Sequence, residues 1–124
     1  MNKLELKEHI LNTYGISSDT PFKDDDITEV FRHQNNRKWF GIMMDISKRT
    51  LGINEEGEIT VINLKADFNM ISSLLYEKGF YPAYHMNKEH WISVAIEEAE
   101  TEKIKLLVDI SYEKTMQKIK RRKQ

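Results

Sequence analysis

The alternation of apolar and polar residues along the first half of the chain predicts one helix followed by three strands. The helix should cover residues 3–14, because Asn2 can cap its start and Gly15 can end it in a left-handed conformation. Its apolar residues are expected to form one buried stripe: Leu4, Leu11 and Tyr14, with Leu6 and Ile10 beside it. The three strands are predicted at apolar segments: residues 27–33, 38–46 and 59–64.

The second predicted strand shows the clearest period of two. Its alternate positions are all apolar: Phe40, Ile42, Met44 and Ile46. Successive side chains of a strand point to opposite faces, so these four are expected to share the face that packs into the core. Trp39 and Met43 would then lie on the other face.

The second half of the chain predicts two more helices and two short extended segments. Asp67 is the expected cap of the second helix, which Gly79 would end, and Thr101 is the expected cap of the third. The extended segments cover residues 81–84 and 91–96. The second helix should bury residues at helical spacing: Phe68, Ile71 and Leu75. The third should bury a longer stripe: Ile104, Val108, Tyr112, Thr115 and Ile119.

The order of these elements predicts an α+β fold, with three helices packed on one face of a mainly antiparallel sheet. The strands follow one another through hairpins, and the helices interrupt them rather than alternate with them. The residues expected to be buried come from both halves of the chain: Phe40, Ile42, Met44, Ile92, Val94, Leu107 and Val108. A length of 124 residues suits a single domain, 1–117, followed by a basic tail, 118–124.

Composition narrows the function classes. The chain has no cysteine, which excludes disulfides and thiolate metal sites. Its apolar runs are far shorter than the ~18 residues that cross a bilayer, so we expect a cytoplasmic protein without a membrane partner. The net charge is -1, but residues 103–124 carry +6 and the remainder -7. The split indicates either an acidic partner for the tail or only a solvated helix end.

Three kinds of catalytic or cofactor site are excluded by spacing. His85 and His90 are five apart, about 140° on a helix, whereas zinc-binding pairs are four apart. Asp109 and Ser111 point about 200° apart on a helix, so neither supports a triad with His90. The five scattered glycines form no phosphate-binding loop. We therefore expect neither an enzyme nor a bound cofactor or metal.

A polar hairpin tip is the more informative segment. Residues 32–38 contain three fixed positive charges and several amides, which suit contacts to phosphates and base edges. An ordinary solvated hairpin tip is equally polar, so both interpretations stay open at this point.

Two segments further along complete a recognisable combination. Residues 82–94 contain Asn87-Lys88-Glu89-His90-Trp91, and the last predicted helix contains Ser111-Tyr112. A strand-strand-helix pattern accompanies these two segments and includes three further parts of the chain: Phe31, Lys38-Trp39-Phe40 and residues 63–67. Over nearly its whole length the chain thus resembles the MmcQ/YjbR family of small bacterial proteins. The resemblance implies a CyaY-like, or frataxin-like, fold, also described as a double wing.

The same resemblance implies a DNA-binding function in which β-hairpins serve as wings. One wing would be the tip at residues 32–38, and the other the loop at residues 47–57, although that loop also carries acids that repel phosphate. We expect weak, salt-dependent DNA binding through polar residues of both wings and the tail: Arg32, Asn35, Asn36, Arg37, Lys38, Lys48, Arg49, Lys118, Lys120, Arg121 and Arg122.

The alternative is a frataxin-like module that binds a protein or a metal without enzymatic activity. It would use acidic residues of the first helix and the loop after it: Glu5, Glu8, Asp19, Asp24, Asp25 and Asp26. The chain could be a monomer or a homodimer. The signature residues are either a site or a structural fastening: Asn87, Lys88, His90, Trp91, Ser111 and Tyr112. We expect Trp91 and Tyr112 to be structural, and Asn87, His90 and Ser111 to fasten the loop to the helix.

Overall fold

A single antiparallel sheet organises the chain in the computed structural model, which describes residues 1–116. The helices are α1 (Lys3–Tyr14), α2 (Phe68–Leu74) and α3 (Thr101–Thr115). The strands are β1 (Glu29–Arg32), β2 (Trp39–Ser47), β3 (Glu58–Lys65), β4 (Phe80–Pro82) and β5 (Trp91–Ala95). A 3-10 turn, Lys48–Leu51, follows β2. Ile119 and the basic tail lie outside the described residues.

The strand order is β1-β2-β3-β5-β4, and every neighbouring pair is antiparallel. Buried side chains of α1, α2 and α3 join one cluster with residues from the same side of the sheet. The predicted α+β class is therefore confirmed. We call this side the helix side and the opposite side of the sheet the outer face. Within residues 1–116, no helix has the length and apolar character needed to cross a membrane.

Local capping explains the bounds of α1 as predicted. The Asn2 side chain accepts a hydrogen bond from the Glu5 amide, and the Glu5 carboxylate accepts one from the Asn2 amide, both at 2.9 Å. This reciprocal pair satisfies two amide donors that a helix start leaves without partners. Gly15 ends the helix at φ +72°, where its missing Cβ removes the steric penalty.

The buried stripe of α1 differs from the prediction. Leu6 and Ile10 are fully buried, whereas Leu4 and Leu11 are 64% and 47% exposed. Leu6, Ile10 and Tyr14 are spaced four apart and share a face. This alternative stripe contains three residues, as many as the stripe of Leu4, Leu11 and Tyr14. Sequence periodicity alone did not select between the two stripes, because the choice depends on where the sheet lies.

α2 is shorter than predicted. It ends at Leu74, five residues before Gly79, and it buries Ile71 and Leu74. Phe68 is largely exposed, and Leu75, just past the helix, is also exposed, contrary to the predicted stripe. A helix of seven residues makes fewer than two turns, so it buries only two residues, which lie three positions apart on one face.

α3 begins one residue earlier than its predicted cap implies. Glu100 is at the N-cap position, and Thr101 is the first helical residue. The buried side chains of α3 include three of the predicted stripe and two others: Ile104, Val108 and Thr115, with Leu107 and Ser111. Tyr112, which was expected in the stripe, is half-buried. Asp67 does stand at the N-cap position of α2, but its carboxylate accepts a hydrogen bond from Lys114 of α3 instead of capping the helix.

A β-bulge changes the face assignment within β2. Phe31 of β1 is opposite Gly41, but the next residue, Arg32, is opposite Trp39. Phe40 is therefore an extra residue on β2 with no counterpart on β1. An inserted residue bends its strand and shifts the alternation of the side chains by one position.

The prediction that Phe40 and Ile42 share a face is consequently wrong. Phe40 and Met43 belong to the helix-side cluster. Ile42, Met44 and Ile46 belong to a separate cluster on the outer face, together with Trp39. All seven residues that were expected to be buried are buried, so the error concerns the direction of the side chains rather than their burial.

We predict that Gly79→Ala destabilises the protein far more than Gly57→Ala. Both glycines have positive φ, +92° and +104°, so both variants lose about 1–2 kcal/mol from an unfavourable backbone conformation. A Cβ at Gly79 would also lie 2.6 Å from the Ala99 nitrogen, whereas at Gly57 it meets open space. Urea unfolding should show a total loss of about 3–5 kcal/mol for Gly79→Ala. Equal losses would contradict this packing.

Candidate functional site

The β1–β2 hairpin tip is fastened to the end of α3. His33 is buried, and its Nε2 lies 2.8 Å from Thr115 Oγ1. Asn36 Nδ2 donates to the Thr115 carbonyl oxygen at 3.0 Å. Arg37 completes the turn at φ +62°, with its amide donating to the His33 carbonyl oxygen. The tip is thus fixed against the C-terminal end of α3.

The buried surroundings of His33 favour its neutral form. Thr115 Oγ1 donates its only hydroxyl proton to the Ser111 carbonyl oxygen at 2.8 Å. With the hydroxyl donating to this carbonyl, its oxygen is an acceptor for a proton on His33 Nε2. The imidazole also packs against Tyr112 and Phe40, with ring centroids 4.5 and 5.2 Å away. Burial lowers the pKa of His33 below its usual value.

Ser111 joins α3 to two strands through its hydroxyl group. Ser111 Oγ donates to the Phe40 carbonyl oxygen at 2.6 Å and accepts from the Lys65 amide at 2.9 Å. Gly41 pairs with Leu64, so Phe40 and Lys65 would form the next step of the β2–β3 ladder. The hydroxyl is inserted at that step, where the bulge residue has left the regular ladder. Ser111 therefore has a structural role on the helix side.

Tyr112 also packs on the helix side. Its ring stacks on Tyr14 of α1 with centroids 4.3 Å apart, and its edge meets Phe40 at 5.1 Å. The Tyr14 hydroxyl donates to Asp109 Oδ1 at 3.0 Å. Burial and this carboxylate raise the pKa of Tyr14. These contacts tie α1 to α3.

The other signature residues lie in the loop before β5, away from Ser111. Asn87 Oδ1 accepts from the Glu89 amide at 2.8 Å, and Lys88 Nζ donates to the Ala83 carbonyl oxygen at 2.9 Å. Both bonds close the loop on itself. The His90 side chain is exposed. Trp91 is half-buried on the outer face, across the sheet from Tyr112.

The expected fastening of this loop to α3 is not what the structure has. Asn87, His90 and Ser111 make no hydrogen bond to one another through their side chains in the described part of the chain. Ser111 instead holds α3 to the sheet, while Asn87 organises its own loop. The two signature segments therefore stabilise opposite sides of the same sheet.

A buried polar pair that sequence reasoning missed holds the β4–β5 loop in place. Asn63 and Ser93 are fully buried and face each other across β3 and β5. The Tyr84 amide donates to Ser93 Oγ, Ser93 Oγ donates to Asn63 Oδ1, and Asn63 Nδ2 donates to the Tyr84 carbonyl oxygen. The signal was present, because each polar residue lies between two apolar neighbours within its strand.

This closed ring of hydrogen bonds places an aromatic pair above the outer face. The Tyr84 and His85 rings stack with centroids 3.9 Å apart and planes 12° apart. His85 adopts φ +55°, a conformation that is uncommon outside glycine. Such a backbone persists only where the surroundings hold it, as the ring around Tyr84 does here.

A cleft of about 600 Å³ lies on the outer face beside this pair. Its floor contains three apolar side chains of β2: Ile42, Met44 and Ile46. Asn63 of β3 lies beside them. One wall comes from β2 and the segment before β1: Phe22, Asp25, Thr28 and Trp39. The opposite wall comes from the β4–β5 loop: Tyr84, His85 and Met86. No pattern in the sequence indicated this cleft.

Several basic residues proposed for DNA contacts are engaged within the protein. Arg32 forms an ion pair with Asp19 at 2.6 Å, and Lys48 forms one with Glu55 at 3.4 Å. A further basic side chain, that of Arg49, donates to the Asn54 side-chain oxygen at 2.9 Å. Within the second predicted wing, the Lys48–Glu55 pair offsets one positive charge, and the bond to Asn54 holds the Arg49 side chain without offsetting its charge.

The tip of the first hairpin is different. Arg37 and Lys38 are exposed, and neither has an acidic partner within residues 1–116. Asn35 is also exposed, and its side-chain oxygen accepts from the Asn36 amide. The predicted tail contacts, Lys118, Lys120, Arg121 and Arg122, lie outside the described residues.

The acidic residues of the alternative hypothesis do not converge. Glu5 caps α1, and Asp19 is paired with Arg32. Asp25 Oδ1 accepts hydrogen bonds from the Ile27 and Thr28 amides at 2.9 Å. Three further acids are exposed: Glu8, Asp24 and Asp26. Within residues 1–116, no three His, Cys, Asp or Glu side chains are grouped so that they could hold a metal ion.

The chain belongs to the YjbR family, whose family model matches residues 11–114. It is 33% identical over 102 residues to the uncharacterized protein YyaQ of Bacillus subtilis (strain 168), covering 82% of this chain and 86% of that one. The match includes the loop with Asn87 and the helix with Ser111, which supports the resemblance inferred from those segments.

Solved structures of similar proteins have the same architecture. A crystal structure of a Pseudomonas syringae protein is 36% identical, with a TM-score of 0.91, and covers 94% of this chain and 100% of its own. A solution NMR structure from the same organism is 34% identical, with a TM-score of 0.87 and 98% coverage of both chains. A Deinococcus radiodurans protein, 21% identical with a TM-score of 0.66, shares the fold over 90% of this chain and 77% of its own.

We predict that Ser111→Ala lowers the free energy of unfolding by about 2–4 kcal/mol. The change leaves the Phe40 carbonyl and the Lys65 amide without their shared partner, and an unsatisfied buried group costs about 1–3 kcal/mol. Ser72→Ala is the matched control, since Ser72 is an exposed helical serine, and it should change stability by no more than about 0.5 kcal/mol. Similar effects of the two changes in urea unfolding would show that the bridge is unimportant.

We predict that His33 makes the protein less stable at mildly acidic pH. Because the folded state lowers its pKa, folding favours the neutral imidazole. That stabilisation is present above the unfolded pKa of about 6.5 and is lost as the pH falls below it toward the folded pKa. His33→Gln keeps an N–H donor without a titration in this range. Between pH 7 and 5, the wild type should lose more stability than the variant; parallel curves would contradict the prediction.

Proposed function

We propose that this protein binds DNA weakly through one basic surface, made by the β1–β2 hairpin tip and the C-terminal tail. The observation that carries the proposal is the pair of hydrogen bonds from His33 and Asn36 to Thr115. They fix the hairpin tip at the end of α3, and in the sequence the tail begins two residues after Met116. Two basic segments that are about 80 residues apart in sequence therefore start from the same end of the molecule.

The distribution of ion pairs supports this location. Many bases within residues 1–116 already have acidic partners, in pairs spread over the surface: Lys3–Asp45, Lys7–Glu29, Arg32–Asp19, Lys48–Glu55, Lys103–Glu77, Lys105–Glu102 and Lys114–Asp67. Arg37 and Lys38 have none there, a property that they share with other bases of the described residues: Lys23, Arg49, Lys65, Lys78 and Lys88. Arg37 and Lys38 are adjacent at the fastened tip, and residues 118–123 hold five bases and no acid. Acids elsewhere are screened over a Debye length of about 8 Å at physiological salt.

The proposal includes a CyaY-like, double-wing fold, in which the β1–β2 hairpin is one wing and the β2–β3 connection the other. The antiparallel sheet with helices on one side supports that inference. We assign DNA contact to the first wing and the tail, because Lys48 and Arg49 are engaged within the second wing. The protein would act by binding rather than by catalysis, and a DNA partner places it in the cytoplasm.

We predict that binding to duplex DNA falls with salt, with a slope of log K against log salt of roughly -4 to -5. The double variant Arg37→Ala/Lys38→Ala should weaken binding and flatten that slope by about two, one for each lost phosphate contact. Fluorescence anisotropy of a labelled duplex, starting at about 50 mM salt where electrostatic binding is strong, measures both quantities.

Two further variants locate the contact. Lys48→Ala/Arg49→Ala removes the same charge from the second wing and should leave the slope nearly unchanged. Truncation after Gln117 separates the tail from the hairpin, and each should carry part of the slope. Absence of binding to duplex and single-stranded DNA at 50 mM salt would overturn the proposal and favour a protein partner.

A further inference from the structure

We propose that the outer-face cleft binds a small organic cation with an aromatic or apolar body. The cleft volume of about 600 Å³ lies within the range of about 300–1,000 Å³ that is typical of small-molecule sites. Such sites are mostly apolar, with a few polar groups that fix the orientation of the ligand. This site is separate from the basic surface proposed for DNA and does not depend on it.

Apolar and aromatic side chains form the body of the cleft. The floor is the part of β2 that the bulge turns outward, including Ile42 and Met44. The rings of Phe22 and Trp39 meet edge to face at 5.7 Å on one wall. The stacked rings of Tyr84 and His85 stand on the other. Aromatic faces attract organic cations as well as apolar groups, so these walls suit a ligand with both characters.

The loop wall is held in place without a ligand. Both backbone polar groups of Tyr84 are bonded to the buried Asn63–Ser93 pair. Lys88 closes the same loop by donating to the Ala83 carbonyl oxygen. A wall fixed in this way loses little conformational entropy when a ligand binds, which favours binding. The ring of hydrogen bonds among Asn63, Ser93 and Tyr84 would therefore also keep the binding wall in its bound conformation.

The charged residues around the cleft determine which ligand charge it favours. No lysine or arginine lines it, and the two acidic residues that do are Asp25 and Asp45. The Asp45 carboxylate is already bonded to Lys3 and Thr60. Asp25 has no cationic partner within residues 1–116, and its Oδ1 accepts two backbone amides, which favours the charged carboxylate. A ligand amine or ammonium group is the complement of this single free acid.

Three probes that share a phenyl ring test the proposal: 2-phenylethylamine, 2-phenylethanol and 3-phenylpropionate, which are cationic, neutral and anionic. We expect the amine to bind most tightly and the carboxylate most weakly. Two-dimensional NMR titrations should place the largest shifts at the Trp39 indole and the Tyr84 and His85 amides. Equal affinities, tightest binding of the carboxylate, or shifts confined to other surfaces would overturn the proposal.

Matched variants separate the charge from the aromatic wall. Asp25→Asn keeps an oxygen for the Ile27 and Thr28 amides, and we expect it to reduce the preference for amine over alcohol about five-fold or more. Asp26→Asn changes the neighbouring charge and should keep the preference. Phe22→Ala alters an exposed ring and should weaken the amine and the alcohol together.

Three results would contradict the assignment. Asp26→Asn could lower the preference as much as Asp25→Asn, which would show a diffuse charge effect. Phe22→Ala could leave both affinities unchanged, which would show that this ring takes no part. Adenosine monophosphate could bind the cleft more tightly than the amine, which would identify a nucleobase site instead.

Discussion

One serine hydroxyl holds the sheet together at the point where its regular pairing fails. The bulge at Phe40 removes this residue from its pairing with β1, and the β2–β3 ladder does not continue past Gly41 and Leu64. Ser111 is inserted at the next step and bonds to both strands. Buried backbone groups must find partners, so the bulge requires such a donor and acceptor from outside the sheet.

The two sides of the sheet depend on this arrangement. On the helix side, the bulge directs Phe40 toward Tyr112 and His33. His33 in turn fastens the hairpin tip to α3 through Thr115. On the outer face, it directs Ile42 and Met44 into the floor of the cleft. A continuous alternation would have placed Phe40 and Ile42 together. The fastened tip and the cleft, which carry our two functional proposals, therefore both follow from one inserted residue.

The parts of the fold that the sequence predicted are those with local causes. Asn2 and Gly15 act on backbone groups within one helical turn, so the bounds of α1 could be predicted. Leu4 and Leu6 are equally apolar, and only the position of the sheet decides which is buried. The bulge was not predictable from β2 alone, because it is defined by the pairing of Phe31 and Arg32 with β2. The signature segments were recognised from the sequence. That they lie on opposite sides of the sheet could be seen only from the order and pairing of the strands.

Amide hydrogen exchange at Lys65 tests the central role of the Ser111 bridge most directly. In the wild type, the Lys65 amide should be protected to a degree similar to its ladder neighbours in β3, because the serine oxygen accepts its proton. In Ser111→Ala, its exchange should accelerate by more than the overall loss of stability explains, while the amides in the centre of β3 follow that overall loss. Rapid exchange of Lys65 in the wild type, or unchanged relative protection in the variant, would contradict the account.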